Sequence, residues 1–181
     1  PTYLDYFDKK IVTKILKNYG KAKVICATNV FAHIENTHNL IKNIKKILDV
    51  DGVFITESHY LVSLIQTLQY DTIYHEHLRY YSLLSLNFIF NKYGLEIFYA
   101  KKITTHGGSI RVYVCYKNSY IIDSSVRNIL KFEKNFLTTK TFDKFKSKVI
   151  ENKIKFFNLI SKINLNNNKI YGVGAPSRGA I

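Results

Sequence analysis

The chain has 181 residues, 46% hydrophobic and 14% aromatic, enough for one domain or parts of two around a real core. No apolar run approaches the roughly 18 residues of a membrane span and no signal peptide opens the chain, so a soluble, cytoplasmic protein is expected. The net charge of +14 is uneven, with 11 basic and 9 acidic side chains in residues 1–100 but 16 and 4 in residues 101–181. That imbalance suits a phosphorylated partner, or else lysines on solvated faces of a Lys-, Asn- and Ile-rich chain.

In chain order, Ile11, Val12, Ile15 and Leu16 recur at helical spacing between Asp8 and Tyr19, and Gly20 ends the helix. Lys23 to Phe31 is an apolar run of the kind expected for a strand buried on both faces of a parallel sheet. Leu40, Ile41, Ile44, Ile47 and Leu48 form one helical stripe. Asp51-Gly52 signals a turn, and Val53 to Glu57 a second buried strand. Leu83 to Tyr93, closed by Gly94, is a further helix, and Leu95–Ala100 and Ile110–Tyr116 make an antiparallel pair of strands.

Beyond Lys117 the pattern changes. Phe142, Phe145, Val149, Phe156, Ile160 and Ile163 mark a long amphipathic helix, and Lys169 to Val173 a new strand before a glycine-rich turn. The expected fold is therefore α/β: residues 1–117 as the back half of a doubly wound sheet, then, from 118, a helical linker and the start of a second α/β domain at 118–181. With no methionine, an opening at Pro1 and an end at Ile181 just past a turn, the chain reads as a fragment.

Four regions can carry chemistry. Tyr74-His75-Glu76-His77, preceded by Asp71, puts titratable groups side by side. An extended backbone would send Tyr74 and Glu76 to one side and His75 and His77 to the other. Imidazole beside a carboxylate suits proton transfer; zinc binding by His-x-His and a structural polar loop are the competing readings. Asn29 and His33 follow the first strand, where open α/β sheets bind ligands, with Glu57 beside them; His33 alone could equally be a structural histidine. His106-Gly107-Gly108-Ser109-Ile110-Arg111 joins the last two strands: its glycines admit close approach of a ligand or a tight turn, and Arg111 needs a carboxylate or phosphate partner. Gly174 and Arg178 sit in a turn whose N–H groups and guanidinium could hold a phosphate. Cys26 and Cys115 form no CxxC pattern, and no metal site is expected.

Together these elements resemble the sugar C-methyltransferases, class I (Rossmann-like) methyltransferases with a C-methyltransferase C-terminal domain. The resemblance rests on Asn29-Val30 with His33-Ile34, Asp51-Gly52-Val53 and Glu57, then Asp71-Thr72-Ile73-Tyr74-His75-Glu76-His77 and Tyr80-Tyr81-Ser82. It continues through Gly94-Leu95, His106-Gly107-Gly108-Ser109 with Arg111, and Gly174-Ala175 with Gly179. It implies C-methylation of a nucleoside-diphosphate keto sugar by S-adenosylmethionine through an enolate. It also implies His77 as base, Tyr74, Glu76 and His33 around the reacting sugar, and Asn29 on the cofactor side. His106, Gly107, Gly108, Arg111, Gly174 and Arg178 are the candidates for binding substrate, with the nucleotide held by the C-terminal domain.

The sequence departs from the family in having Arg178 where Lys is usual. It also lacks the glycine-rich cofactor loop, its acidic ribose partner and the cysteine-rich zinc module that usually comes first, so zinc is expected only in that module. Alone, the chain is expected to bind S-adenosylmethionine poorly and to be inactive. Two other classes remain in view: an NAD-type nucleotide-sugar oxidoreductase or epimerase using the turn at 172–179, and a basic nucleic-acid-binding module.

Overall fold

The computed structural model describes residues 2–166 and 168–172. Helix α1 (Lys9–Tyr19) starts where the Asp8 carboxylate accepts the Ile11 N–H at 2.9 Å and stops at Gly20, whose φ of 75° most side chains disfavour. It leads into strand β1 (Ala22–Thr28). Helix α2 (Thr37–Ile47), capped by the Asn36 side chain, buries Leu40, Ile41, Ile44 and Ile47 of the expected stripe, whose last member, Leu48, instead opens the next strand. Strand β2 (Leu48–His59) follows directly, then the short helix α3 (Leu61–Gln66) and α4 (Leu83–Asn91), opened by a Ser82–Ser85 capping box. Strands β3 (Leu95–Ile103) and β4 (Ser109–Tyr116) form the antiparallel pair, and α5 (Ser124–Phe136) and α6 (Thr139–Leu165) complete the described chain.

The four strands make one mixed sheet in the order β1-β2-β4-β3, with β1 parallel to β2 and the other two pairings antiparallel. The α/β expectation therefore holds. Beside β2 and β4 lies a core of Phe31, Phe54, Phe90 and Tyr81, whose ring centroids stand 5.8–6.0 Å from that of Phe31. Such burial is the main source of stability in a domain of this kind.

Three local expectations need correction, while the long helix beyond residue 140 is present as expected. Strand β1 ends at Thr28 and is not buried on both faces: among the described residues only β2 pairs with it, and Val24 is 59% exposed. Asp51-Gly52 is not a turn between elements. Between the pairs Ala22↔Leu48 and Val24↔Val53, β2 takes five steps to two on β1, and the extra residues form a bulge. A Cβ on Gly52 would come within 2.8 Å of the Ala22 carbonyl oxygen there. The apolar stripe of α6 is real but has no fully buried residue, and Phe156 stands 63% exposed. Lys169–Gly172, the described part of the expected last strand, is irregular. One helix went unpredicted, α3, because its apolar run continues straight from β2; α5, in the stretch expected as a helical linker, covers β3 and α4.

Candidate active site

A cleft of about 500 Å³ opens at the carboxyl ends of β1 and β2, where ligands enter open α/β sheets. Asn29 stands just past β1, Ser58 and His59 end β2, and His106 and Gly107 form the turn between β3 and β4. His33 comes from a single 3₁₀ turn, Phe31–His33, and Tyr74 and His77 from the loop between α3 and α4.

Two distant loops meet because the core and the backbone force them to. Phe31 is fully buried among the aromatic rings, which fixes the turn bearing His33 two residues on. The second loop is tied to it by three donors. Leu78 N–H reaches the Ala32 carbonyl at 3.0 Å, the Arg79 guanidinium spans the carbonyls of Ile34 and Glu35, and the Tyr81 hydroxyl lies 3.5 Å from the Phe31 carbonyl. The His33 and His77 rings end 5.0 Å apart.

The Tyr74–His77 segment is a turn, closed by His77 N–H on the Tyr74 carbonyl at 3.0 Å, and not the extended stretch expected. Tyr74 and His77 therefore share a side, with ring centroids 4.6 Å apart. His75 and Glu76 are exposed, and Glu76 is outside the cleft lining. His77 has a defined tautomer. Its Nδ1 is 2.9 Å from the Thr72 carbonyl, which can only accept, so Nδ1 carries a hydrogen and, in the neutral form of the ring, Nε2 carries the lone pair. The Tyr80 hydroxyl donates to the same carbonyl at 3.1 Å, and burial raises that hydroxyl's pKa.

Gly107 and Gly108, with φ of 77° and 116°, need their freedom for packing. A Cβ at Gly107 would meet the Gln69 amide at 2.5 Å, and one at Gly108 the Ser63 hydroxyl at 2.4 Å. Gly107 lines the cleft, and Gly108 does not. Arg111 is also outside it. Its guanidinium holds the Glu57 carboxylate at 2.7 and 2.9 Å, and Thr105 donates to the other oxygen at 3.0 Å. Of the two partners foreseen for Arg111, the carboxylate is the one present, and this bond raises the guanidinium's pKa. Because Glu57 is 4% exposed, the pair anchors the His106 turn to β2. Gly174 and Arg178 lie outside the described residues.

Three cleft residues escaped the sequence reading: Ser58, His59 and Gln69. The signal was present, because Glu57-Ser58-His59 is a polar triplet at a strand's carboxyl end. His59 Nε2 meets Gln69 Oε1 at 3.0 Å, and its pKa is lowered, first by burial, with His77 and His106 adding to the effect against the Gln69 bond. Among the described residues no three His, Cys, Asp or Glu side chains gather as a metal would require, and no helix is long and apolar enough to cross a membrane.

Comparison with known proteins shows the family. Residues 104–181 match the C-methyltransferase C-terminal domain, and residues 4–100 a methyltransferase domain. Over 107 residues the chain is 36% identical to the C-methyltransferase NovU of Streptomyces niveus, a match covering 59% of this chain and 26% of that protein. Among solved structures, a magnesium protoporphyrin IX methyltransferase from Synechocystis PCC 6803 with bound SAH superposes with a TM-score of 0.43 at 13% identity. That superposition covers 54% of this chain and 46% of the other. An S-adenosylmethionine-dependent methyltransferase from Anabaena variabilis does so at 0.46 and 12%, over 63% and 57%. With more than half of its length matched by the methyltransferase domain, the chain belongs to the methyltransferase domain family, and its residues 104–181 are similar to the C-methyltransferase C-terminal domain.

Proposed function

We propose that this chain forms the substrate-handling part of an S-adenosylmethionine-dependent C-methyltransferase acting on a nucleoside-diphosphate keto sugar. The observation carrying this reading is the fixed tautomer of His77, which leaves Nε2 as an acceptor in a cleft shared with His33 and Tyr74. Nε2 takes the proton from the carbon beside the ketone, and the electron pair moves onto the carbonyl oxygen as an enolate. That proton is far less acidic than imidazolium, so the oxygen needs donors aimed at it, which His33 and Tyr74 supply. With S-adenosylmethionine bound, the enolate carbon would form the new carbon–carbon bond to its methyl group as the methyl–sulfur bond breaks and the electron pair stays on sulfur; His77 returns its proton to solvent.

S-adenosylmethionine, when bound, supplies a methyl group made electrophilic by sulfonium. Among the residues in hand only Asn29 is assigned to it, an exposed residue at φ 55° whose side-chain amide makes no hydrogen bond among the described residues. Glu76, exposed and outside the lining, is given no contact with the reacting carbon. Gly174, Arg178 and the basic residues beyond 117 are assigned to the nucleotide.

The test uses the full-length protein with a panel of nucleotide keto sugars in D₂O, without and then with labelled S-adenosylmethionine. Wild type is expected to exchange the proton beside the ketone for deuterium and to place label on carbon. His77→Asn is expected to do neither. Equal exchange and labelling by both proteins would remove His77 from the chemistry.

A further inference from the structure

Ser58 is 2% exposed, lines the cleft, and is the buried side chain whose oxygen has no hydrogen-bond partner among the described residues. A buried hydroxyl in that state forfeits its water without replacement, a cost that native structures avoid unless something else completes the bond. His59 beside it is also half-satisfied. The Gln69 amide is oriented by Nε2, which donates to the Gly107 carbonyl at 2.7 Å, so Oε1 must face His59. His59 Nε2 therefore carries the hydrogen. Nδ1 of the neutral ring is then an acceptor, and it makes no hydrogen bond within the described residues. Burial disfavours a charge on this ring. The two residues thus offer an uncharged set: one acceptor, and one hydroxyl that both donates and accepts. A phosphate or carboxylate, needing donors and positive charge, is a poor match; a neutral hydroxyl, itself donor and acceptor, is a good one.

We infer that Ser58 and His59 form a specificity subsite that holds a hydroxyl group of the substrate close to the carbon deprotonated by His77. The His59 and His77 rings are 6.4 Å apart, so one small sugar ring can engage both. In their neutral forms the two imidazoles are held in opposite tautomers by different acceptors, Gln69 Oε1 for Nε2–H and the Thr72 carbonyl for Nδ1–H. Each therefore presents a lone pair, one for chemistry and one for recognition. This inference rests on the proposed function for the identity of the substrate as a keto sugar.

The experiment measures binding, without S-adenosylmethionine, of uridine- and thymidine-diphosphate 4-keto-hexoses to the full-length protein by calorimetry. Each sugar is used intact and with single hydroxyls removed in turn, against wild type, Ser58→Ala and His59→Gln. Glutamine keeps a donor for Gln69 and removes the Nδ1 acceptor. Wild type is expected to prefer one hydroxyl-bearing sugar over its deoxy counterpart by roughly 10- to 100-fold, because the deoxy sugar leaves buried polar groups unpaired. Both variants are expected to bring that ratio to about 1 by weakening only the intact sugar. Ser58→Ala is expected to leave the thermal midpoint unchanged or raised, since it deletes an unpaired hydroxyl; a lowered midpoint would mark Ser58 as structural and overturn the inference. An unchanged preference in both variants overturns it too, whatever the methylation assay gives. A preference that collapses in the variants while wild type exchanges no proton leaves the subsite standing and removes the enolate chemistry. No binding of any keto sugar refutes both.

Discussion

Glu133 on α5 should be among the most costly single side chains to alter, although it is remote in sequence from every site motif. It is fully buried, and its carboxylate accepts three hydrogen bonds: the Tyr60 hydroxyl at 2.8 Å and the Leu83 and Leu84 N–H groups, each at 2.7 Å. The last two belong to the first turn of α4, where free N–H groups and the helix dipole favour an anion. Burial, with Glu133 adding to it, raises the Tyr60 pKa far above that of a free phenol, so Tyr60 stays a donor throughout the accessible pH range.

Glu133→Gln turns one oxygen into a donor facing donors, and Glu133→Ala leaves all three unpaired. Hydrogen bonds to charged groups are worth about 1.5–3 kcal/mol each, and a stranded buried donor costs about 1–3. Because the three share one carboxylate, their losses do not add. A total of about 3–5 kcal/mol is expected for alanine and about 2–3 for glutamine, with about 1–2 for Tyr60→Phe. Urea unfolding of the full-length protein followed by circular dichroism reads these losses as shifts in midpoint. A double-mutant cycle between Tyr60→Phe and Glu133→Gln should show clear coupling. A loss below about 1 kcal/mol for Glu133→Ala would refute the reasoning.

Gly108→Ala places a methyl group 2.4 Å from the Ser63 hydroxyl on a backbone at φ 116°, so a destabilisation of about 2–4 kcal/mol is expected by urea titration. Adding Ser63→Gly should recover the steric part and leave the backbone strain; full recovery would show that strain is absent. The lowered pKa of His59 makes the folded state bind fewer protons than the unfolded chain, whose histidines titrate near 6.5. Its contribution to stability is complete above about pH 6.5 and is lost as pH falls through the lowered folded value. Measured at pH 7.5 and again at pH 5.5, wild type should therefore lose more of its unfolding free energy than His59→Gln, and equal losses would contradict the shift.

The helical stripes, the antiparallel pair of strands and the convergence of His33 with His77 were legible because each depends on local periodicity or on the rule that ligands sit at strand carboxyl ends. What stayed hidden was set by partners far along the chain. The Tyr74–His77 segment looks extended if only alternation is consulted. It becomes a turn because Leu78 and Arg79 are drawn onto the carbonyls of residues 32–35. Gly108 looks like a place for a ligand until Ser63 is seen in the space its side chain would occupy. Arg111 suits a phosphate as well as a carboxylate until Glu57 is found opposite it across the β2–β4 ladder.

The same long-range ties explain why the cleft can be both polar and ordered. Each imidazole in it with a resolved partner gives its hydrogen to an acceptor fixed elsewhere: His77 to the Thr72 carbonyl, and His59 to a Gln69 amide that is itself pinned on Gly107. Gly107 must be glycine because Gln69 fills the space of its missing side chain, so the glycine turn acts on the cleft through Gln69 and His59. A substitution at Gly107 should therefore disturb His59 before it touches any bound sugar. In binding measurements Gly107→Ala should then erode the hydroxyl preference together with overall affinity. If affinity fell while the preference stayed whole, Gly107 would be acting on the ligand directly, and the relay through Gln69 would be wrong.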